Sequence, residues 1–272
     1  TIACMFVQRR PRAALSPLVK TLWISDQPTS AGAVEHVLPS GAMHLAIRLS
    51  GAPVRLIEGA AAVDMGFALV GGARSSFYAK EVSGACTLGA VLQPGASVAL
   101  FGVPASDLAE RHTRLEDLSG PSARGVRERL AEAADPLGAF EAMLMERAPR
   151  IRGLHPAVAM ALEGLHGAAG IGELVEWSGY SHRRFNAIFR DAMGLTPKLY
   201  SRLRRFDRAV ETLASRAGSA LADVAALAGY SDQAHLNRDF VEFAGVTPGE
   251  YRRIAPHNAR HVAAPGSNSF KT

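Results

Sequence analysis

The 272-residue chain is 48% hydrophobic and 20% charged, with a formal net charge of +5. Such a composition buries a core and excludes a disordered polyelectrolyte, and the length suits about two domains of roughly 150 residues. No apolar run approaches the ~18–20 residues of a membrane span. Two cysteines, Cys4 and Cys86, cannot by themselves build a disulfide framework or a closed zinc site. Residues 1–10 lack a signal-peptide layout, so a cytoplasmic location with no membrane partner is expected.

From about residue 18 to 93 the pattern is strand-like, with Val19–Ser25, Val34–Leu38, Met43–Leu49, Val54–Ile57, Phe67–Val70 and Cys86–Leu92 separated by turn signals. In the third, Met43, Leu45, Ile47 and Leu49 point one way and His44, Ala46 and Arg48 the other, the period of a half-buried strand. Short strands at roughly ten-residue spacing predict an antiparallel sandwich or small barrel. Residues 122–147 read as helical through Val126, Leu130, Leu137, Phe140 and Leu144. Residues 149–155 read as a linker, 156–255 as all-helical, and 256–272 as a mobile tail. The fold class is therefore α+β with two domains. A β-barrel domain occupies 1–118 and a helical dimerisation or packing segment 119–148, followed by the linker, the helical domain and the tail.

An internal repeat organises the helical part. Glu173–Ser181 matches Asp223–Ser231 at an offset of 50, and after one inserted residue the match resumes at 51. Phe185 pairs with Leu236, Phe189 with Phe240, Gly194-Leu195-Thr196-Pro197 with Gly245-Val246-Thr247-Pro248, and Tyr200 with Tyr251. Each copy predicts a short helix (171–178; 220–228) ended by Gly179 or Gly229, which can take the left-handed conformation that closes a helix. Ser181 or Ser231 then caps a second helix. Two helices joined by a tight glycine turn can set the second in a DNA major groove.

In copy one, Phe185, Ile188, Phe189 and Ala192 share one helical face, with Arg183, Asn186, Ala187 and Arg190 opposite. In copy two, Leu236, Phe240 and Phe243 are the buried set, leaving Gln233, Ala234, Asn237 and Arg238 outward. Arginine bonds guanine and Asn or Gln bonds adenine bidentately, and alanine can meet a thymine methyl. A helix over Pro197–Ala214 joins the copies. Residues 183–208 carry a net charge of +6, the footprint of a polyanion partner. Phosphate contacts are expected from Ser181, Arg184, Arg190, Arg202, Arg205, Ser231 and Arg252.

Residues 156–254, with both Gly-Tyr-Ser turns and both Gly-X-Thr-Pro closures, resemble the double helix-turn-helix domain of AraC/XylS-type bacterial transcriptional regulators. The resemblance maps base contacts onto Arg183, Asn186, Ala187, Gln233, Ala234, Asn237 and Arg238. Ala187 stands where many members carry arginine. It also implies a cupin-like N-terminal domain that binds an effector or mediates dimers, with Val37–Gly41 and the stretch from Gln93 to Ser106 as its traces. There Ser40 replaces the usual acidic residue, and His44 stands where Asp or Glu is usual. The partners implied are an operator DNA duplex, a small-molecule effector, RNA polymerase and a second copy of the chain.

An enzymatic alternative, a cupin-type enzyme or an alkylation or redox sensor, lacks support in the residues. His36 and His44 are eight apart, with His112 distant, and no Cys-X-X-Cys occurs. No catalytic residue, metal or cofactor is expected. Trp23, Met43, His44 and Arg48 are the candidates for an effector pocket.

Overall fold

The computed structural model describes residues 5–27, 33–120, 125–146, 153–167, 169–216, 218–256 and 258–264. Cys4, most of the expected linker and residues 265–272 lie outside them.

The N-terminal half builds two antiparallel sheets. The first runs in the order β1 (Met5–Arg9), β2 (Val19–Gln27), β9 (Ala85–Leu92), β4 (His44–Arg48), β7 (Ala68–Gly71), β10 (His112–Arg114). The second runs in the order β11 (His261–Ala263), β3 (Val34–Val37), β8 (Tyr78–Glu81), β5 (Arg55–Glu58), β6 (Ala61–Asp64). Among the described residues the ladders do not close into a barrel, so the barrel expectation becomes two facing sheets.

The alternation in β4 sorts its side chains as expected. Leu45 and Ile47 are buried with Leu22, Leu88 and Ala90, under α1 (Ala96–Phe101) and α5 (Pro136–Glu146). Phe140 and Leu144 of α5 belong to the same core. Glu141 is 1% exposed because it faces Arg9 at 2.8 Å and accepts the Arg12 backbone N–H. Residues 126–146, with α4 (Val126–Glu132), thus pack their apolar side on their own domain.

The C-terminal half has α6 (Pro156–His166), then α7 (Ile171–Ser178) and α8 (His182–Met193), then α9 (Pro197–Ser215), then α10 (Leu221–Ala228), α11 (Gln233–Ala244) and α12 (Pro248–Ile254). Both turn glycines adopt the left-handed region, Gly179 at φ 67° and Gly229 at φ 87°. Ser181 caps α8 by accepting the Arg184 N–H at 3.3 Å. In copy two the cap moves one residue on. Asp232 accepts the His235 N–H at 2.7 Å, and Ser231 donates to Asp232 instead. The inserted residue of the second copy is the reason: it supplies a carboxylate at the cap, where the helix macrodipole favours negative charge.

The tail is a second correction. After α12, residues 258–264 turn back, and β11 pairs with β3 of the N-terminal domain in the register His261↔Val37, Val262↔His36, Ala263↔Glu35. Val262 is 0% exposed and joins the main core. That core runs continuously from the first sheet into the second helix-turn-helix unit, while the first unit has its own cluster around Phe185 and Phe189.

Candidate nucleic-acid interface and ligand cavity

Helices α8 and α11 are amphipathic in the expected sense. On α8, Phe185, Ile188 and Phe189 are buried, while Arg183, Arg184, Ala187 and Arg190 are exposed and Asn186 is half-buried. Met193 completes the buried stripe rather than Ala192, which is half-buried. On α11, Leu236, Phe240 and Phe243 are buried, with Gln233, Ala234 and Arg238 exposed. Asn237 is half-buried, and its Oδ1 is enclosed without a partner among the described residues. That oxygen therefore points into the fold, away from the exposed face that Gln233, Ala234 and Arg238 share.

Between the two units a groove of about 830 Å³ is lined by Lys198, Arg202, Arg205, Arg208, His235 and Arg238, with Gly170 at the start of α7. Not all of this charge is available. Arg202 donates to Asp239 at 2.7 Å and to both oxygens of Glu242 at 2.9 and 2.6 Å, and lies 4.8 Å from the centre of the Phe243 ring. The Glu242 hydrogen bond, with Asp239 beside it, raises the Arg202 pKa further. Arg252 donates to the Ser219 carbonyl at 2.7 Å. These two expected phosphate contacts are therefore engaged inside the fold: Arg202 neutralises buried Asp239, and Arg252 ties α12 to the start of α10. Arg205 lies over Tyr230 at 5.7 Å, and Arg208 donates to Ala228 O at 3.1 Å, yet both still border the groove.

A second cavity, about 720 Å³, is lined by both sheets and opens toward α9. Trp23, Met43, His44 and Arg48 all line it. Close approach of backbone shapes its wall. A Cβ on Gly71 would stand 2.1 Å from the His44 ring, and one on Gly89 would stand 2.0 Å from Trp23. Glycine at both positions lets these rings lie flat on the neighbouring strands. Arg48 donates to Ala52 O at 2.6 Å, to Pro53 O and to Ser83 Oγ, so its charge organises a loop.

The sequence reading missed what surrounds His44. His112 sits across the same glycine on β10, with ring centres 5.9 Å apart, and Tyr78 stacks edge-on to His112 at 4.3 Å. Burial pushes His44 down to about 4, and the positive charges of Lys80, His261 and Arg74 add to it. Burial, then His44, Arg74 and Lys80, push His112 to about 3. Both are neutral hydrogen-bonding groups near pH 7. Glu35 takes Lys80 Nζ and His261 Nδ1 at 2.8 Å each. Burial raises its pKa, but the His261 hydrogen bond and the Lys80 charge outweigh that and hold it at about 2. Nothing in the spacing of residues 36, 44 and 112 announces this cluster, because strand order rather than sequence distance assembles it. Among the described residues no group of three His, Cys, Asp or Glu side chains could hold a metal ion. Cys86 is half-buried, and burial with nearby Asp26 raises its thiol pKa, which disfavours the reactive thiolate.

With this geometry in view, comparison with known proteins is direct. A family described as a helix-turn-helix domain matches residues 174–254, from within α7 to the end of α12. Those residues are a helix-turn-helix domain of the AraC/XylS type. The AraC/XylS-type domain follows a stretch, residues 7–114, that matches a domain of unknown function, DUF6597. The probable transcriptional regulator LumQ of Photobacterium leiognathi is 32% identical over 82 residues, 30% of this chain and 33% of LumQ. The matched stretch thus spans a third of that relative. Among solved structures, apo ToxT of Vibrio cholerae covers 91% of this chain and 100% of its own, at 8% identity and TM-score 0.49. The xylose-binding transcription activator XylR covers 40% of this chain and 30% of its own, at 18% identity and TM-score 0.31. No helix among the described residues is long and apolar enough to cross a membrane.

Proposed function

We propose that this chain is a sequence-specific DNA-binding transcription regulator acting in the cytoplasm. Its helices α8 and α11 enter successive major grooves, and a small molecule in the cavity between the sheets controls it. The observation that carries the reading is the duplicated unit itself. Arg183 and Ala187 on one helix, and Gln233, Ala234 and Arg238 on the other, are exposed opposite a buried stripe that is apolar but for Asp239 on α11. Bases are read by Arg183, Asn186, Ala187, Gln233, Ala234 and Arg238, joined by Asn237 once its amide turns outward; phosphates are held by Ser181, Arg184, Arg190, Arg205 and Ser231, with Arg208 added from the groove. LumQ is named as a probable transcriptional regulator, and the same role is proposed here. Its partners are an operator duplex, the cavity ligand, RNA polymerase and a second copy of the chain.

Selection of bound duplexes from a random pool tests the reading. Two short enriched motifs on one face of the duplex support it. Retention of the pool without enrichment contradicts it and indicates a binder without sequence preference.

A further inference from the structure

Two equivalent turns of the duplicated unit meet one loop of the N-terminal domain. Gly194 and Gly245 close α8 and α11 at φ 79° and 70°. A Cβ at Gly194 would stand 3.1 Å from Ala73 Cβ, and one at Gly245 would stand 2.5 Å from the Phe77 ring. Ala73 and Phe77 lie toward opposite ends of the β7–β8 connection, residues 72–77. The Phe77 N–H donates to Phe243 O at 2.9 Å, and the Phe77 ring stacks on His36 at 4.1 Å. On the α8 side, Ser106 donates to Asp191 at 2.9 Å, and the Gly95 N–H donates to Ala192 O at 2.9 Å. The loop is itself braced, since Ala73 O accepts the Glu110 N–H at 3.0 Å and the Ser75 N–H reaches Glu110 Oε1 at 2.8 Å.

Helix α9, 19 residues and so roughly 28 Å long, already joins the two units at one end of each. It packs along α11, with Phe206 against Phe240 and Phe243 and Arg202 on Asp239, whereas the first unit keeps its own apolar cluster. Contacts at both caps add a second constraint on how the two helices are held relative to each other. We propose that the loop Gly72–Phe77 sets the separation and relative angle of the two reading helices, making Ala73 and Phe77 positioning residues that select the spacing between the two DNA half-sites. This rests on the DNA-reading role above. Half-site spacing is a geometric consequence of where two readers are held. The same loop borders the cavity through Gly72 and Arg74, with Tyr78 just beyond its end, so an occupant of the cavity bears on the same spacing.

The test is a selection from pools in which two randomised half-sites are separated by spacers of stepped length. Wild type, Phe77→Ala and a variant with two glycines inserted between Ser75 and Ser76 are compared as full chains. Wild type selects one spacer. The variants recover the same half-site letters, but their preference for that spacer falls from about tenfold to about twofold. A merely structural role lowers binding to every spacer alike and leaves the preference intact; that result in both variants overturns the inference. Failure of wild type to enrich any motif overturns the DNA-reading role itself, which separates the two claims.

Discussion

Arg238 is exposed on the face of α11 opposite Phe240 and Leu236, where a guanidinium can meet guanine O6 and N7 together. Arg238→Ala should cost about 1–3 kcal/mol on the selected duplex and relax preference at one base, measured by fluorescence anisotropy on matched and mismatched duplexes. Equal losses on selected and random DNA would remove it from base reading. Arg202 predicts the reverse. Its removal leaves Asp239, 3% exposed, buried without its cation, so Arg202→Ala should destabilise the fold by about 3 kcal/mol in urea melts. Its salt slope of DNA binding stays that of wild type. The cavity groups set a pH dependence of stability. His44 and His112 are held at about 4 and 3, below their ordinary 6.5, so the unfolded chain takes up their protons first. Their contribution is full above about 6.5 and is lost as pH falls through about 4 for His44 and about 3 for His112. Glu35 is depressed from 4.5 to about 2, so its contribution is present above 4.5 and is lost as pH falls toward 2. Paired His44→Gln and His112→Gln substitutions should flatten the fall between pH 6.5 and 4 in thermal melts, and an unchanged profile would place the acid sensitivity elsewhere.

Elements differ in how openly the sequence declares them. Helices α7 to α12 were legible because one apolar stripe recurs twice with glycine and threonine punctuation, and two agreeing copies are far more specific than one. Strand β4 was legible because Leu45 and Ile47 alternate with His44 and Arg48 on a single buried face. Strand β1 was not, because its Phe6 and Val7 are exposed at a sheet edge and carry no burial signal. Strand β11 was hidden for a different reason: three residues after a proline look like tail until β3 offers them an open edge. The cap shift from Ser231 to Asp232 shows the same limit at finer grain, since either residue satisfies the cap pattern and only the helix start decides. The buried position of Val262 predicts that Val262→Asp detaches β11. Amides of β3 should then exchange much faster with solvent while those of β4 and β9 are unaffected, as hydrogen exchange by mass spectrometry would record. Uniform exchange across both sheets would mean that β11 is part of the core's stability rather than a strap upon it.

Across the whole molecule, the first sheet and the second helix-turn-helix unit share an apolar core, and the connections between the halves include β11 on β3, α2 (Ala105–Leu108) against α8, and the β7–β8 loop against the caps of α8 and α11. Arg260, beside β11, reaches Asp207 on α9 and the Pro39 carbonyl, so the same segment touches the helix that joins the two reading units. The cavity lies among these connections, bounded by both sheets and by Tyr200 and Arg204 of α9. A ligand there would press on parts that hold α8 and α11 in place, which is the route by which the proposed control from the N-terminal domain would act. The sequence revealed four of the cavity residues but not the His44–His112–Tyr78 cluster, because three strands far apart in the chain create it. Everything turns on α8 and α11 reading DNA together. Hydroxyl-radical footprinting of the full chain on its selected duplex measures this directly. Two protected patches about one helical turn, roughly 10.5 base pairs, apart on one face are the outcome expected. A single patch, or protection spread evenly along the duplex, would contradict it.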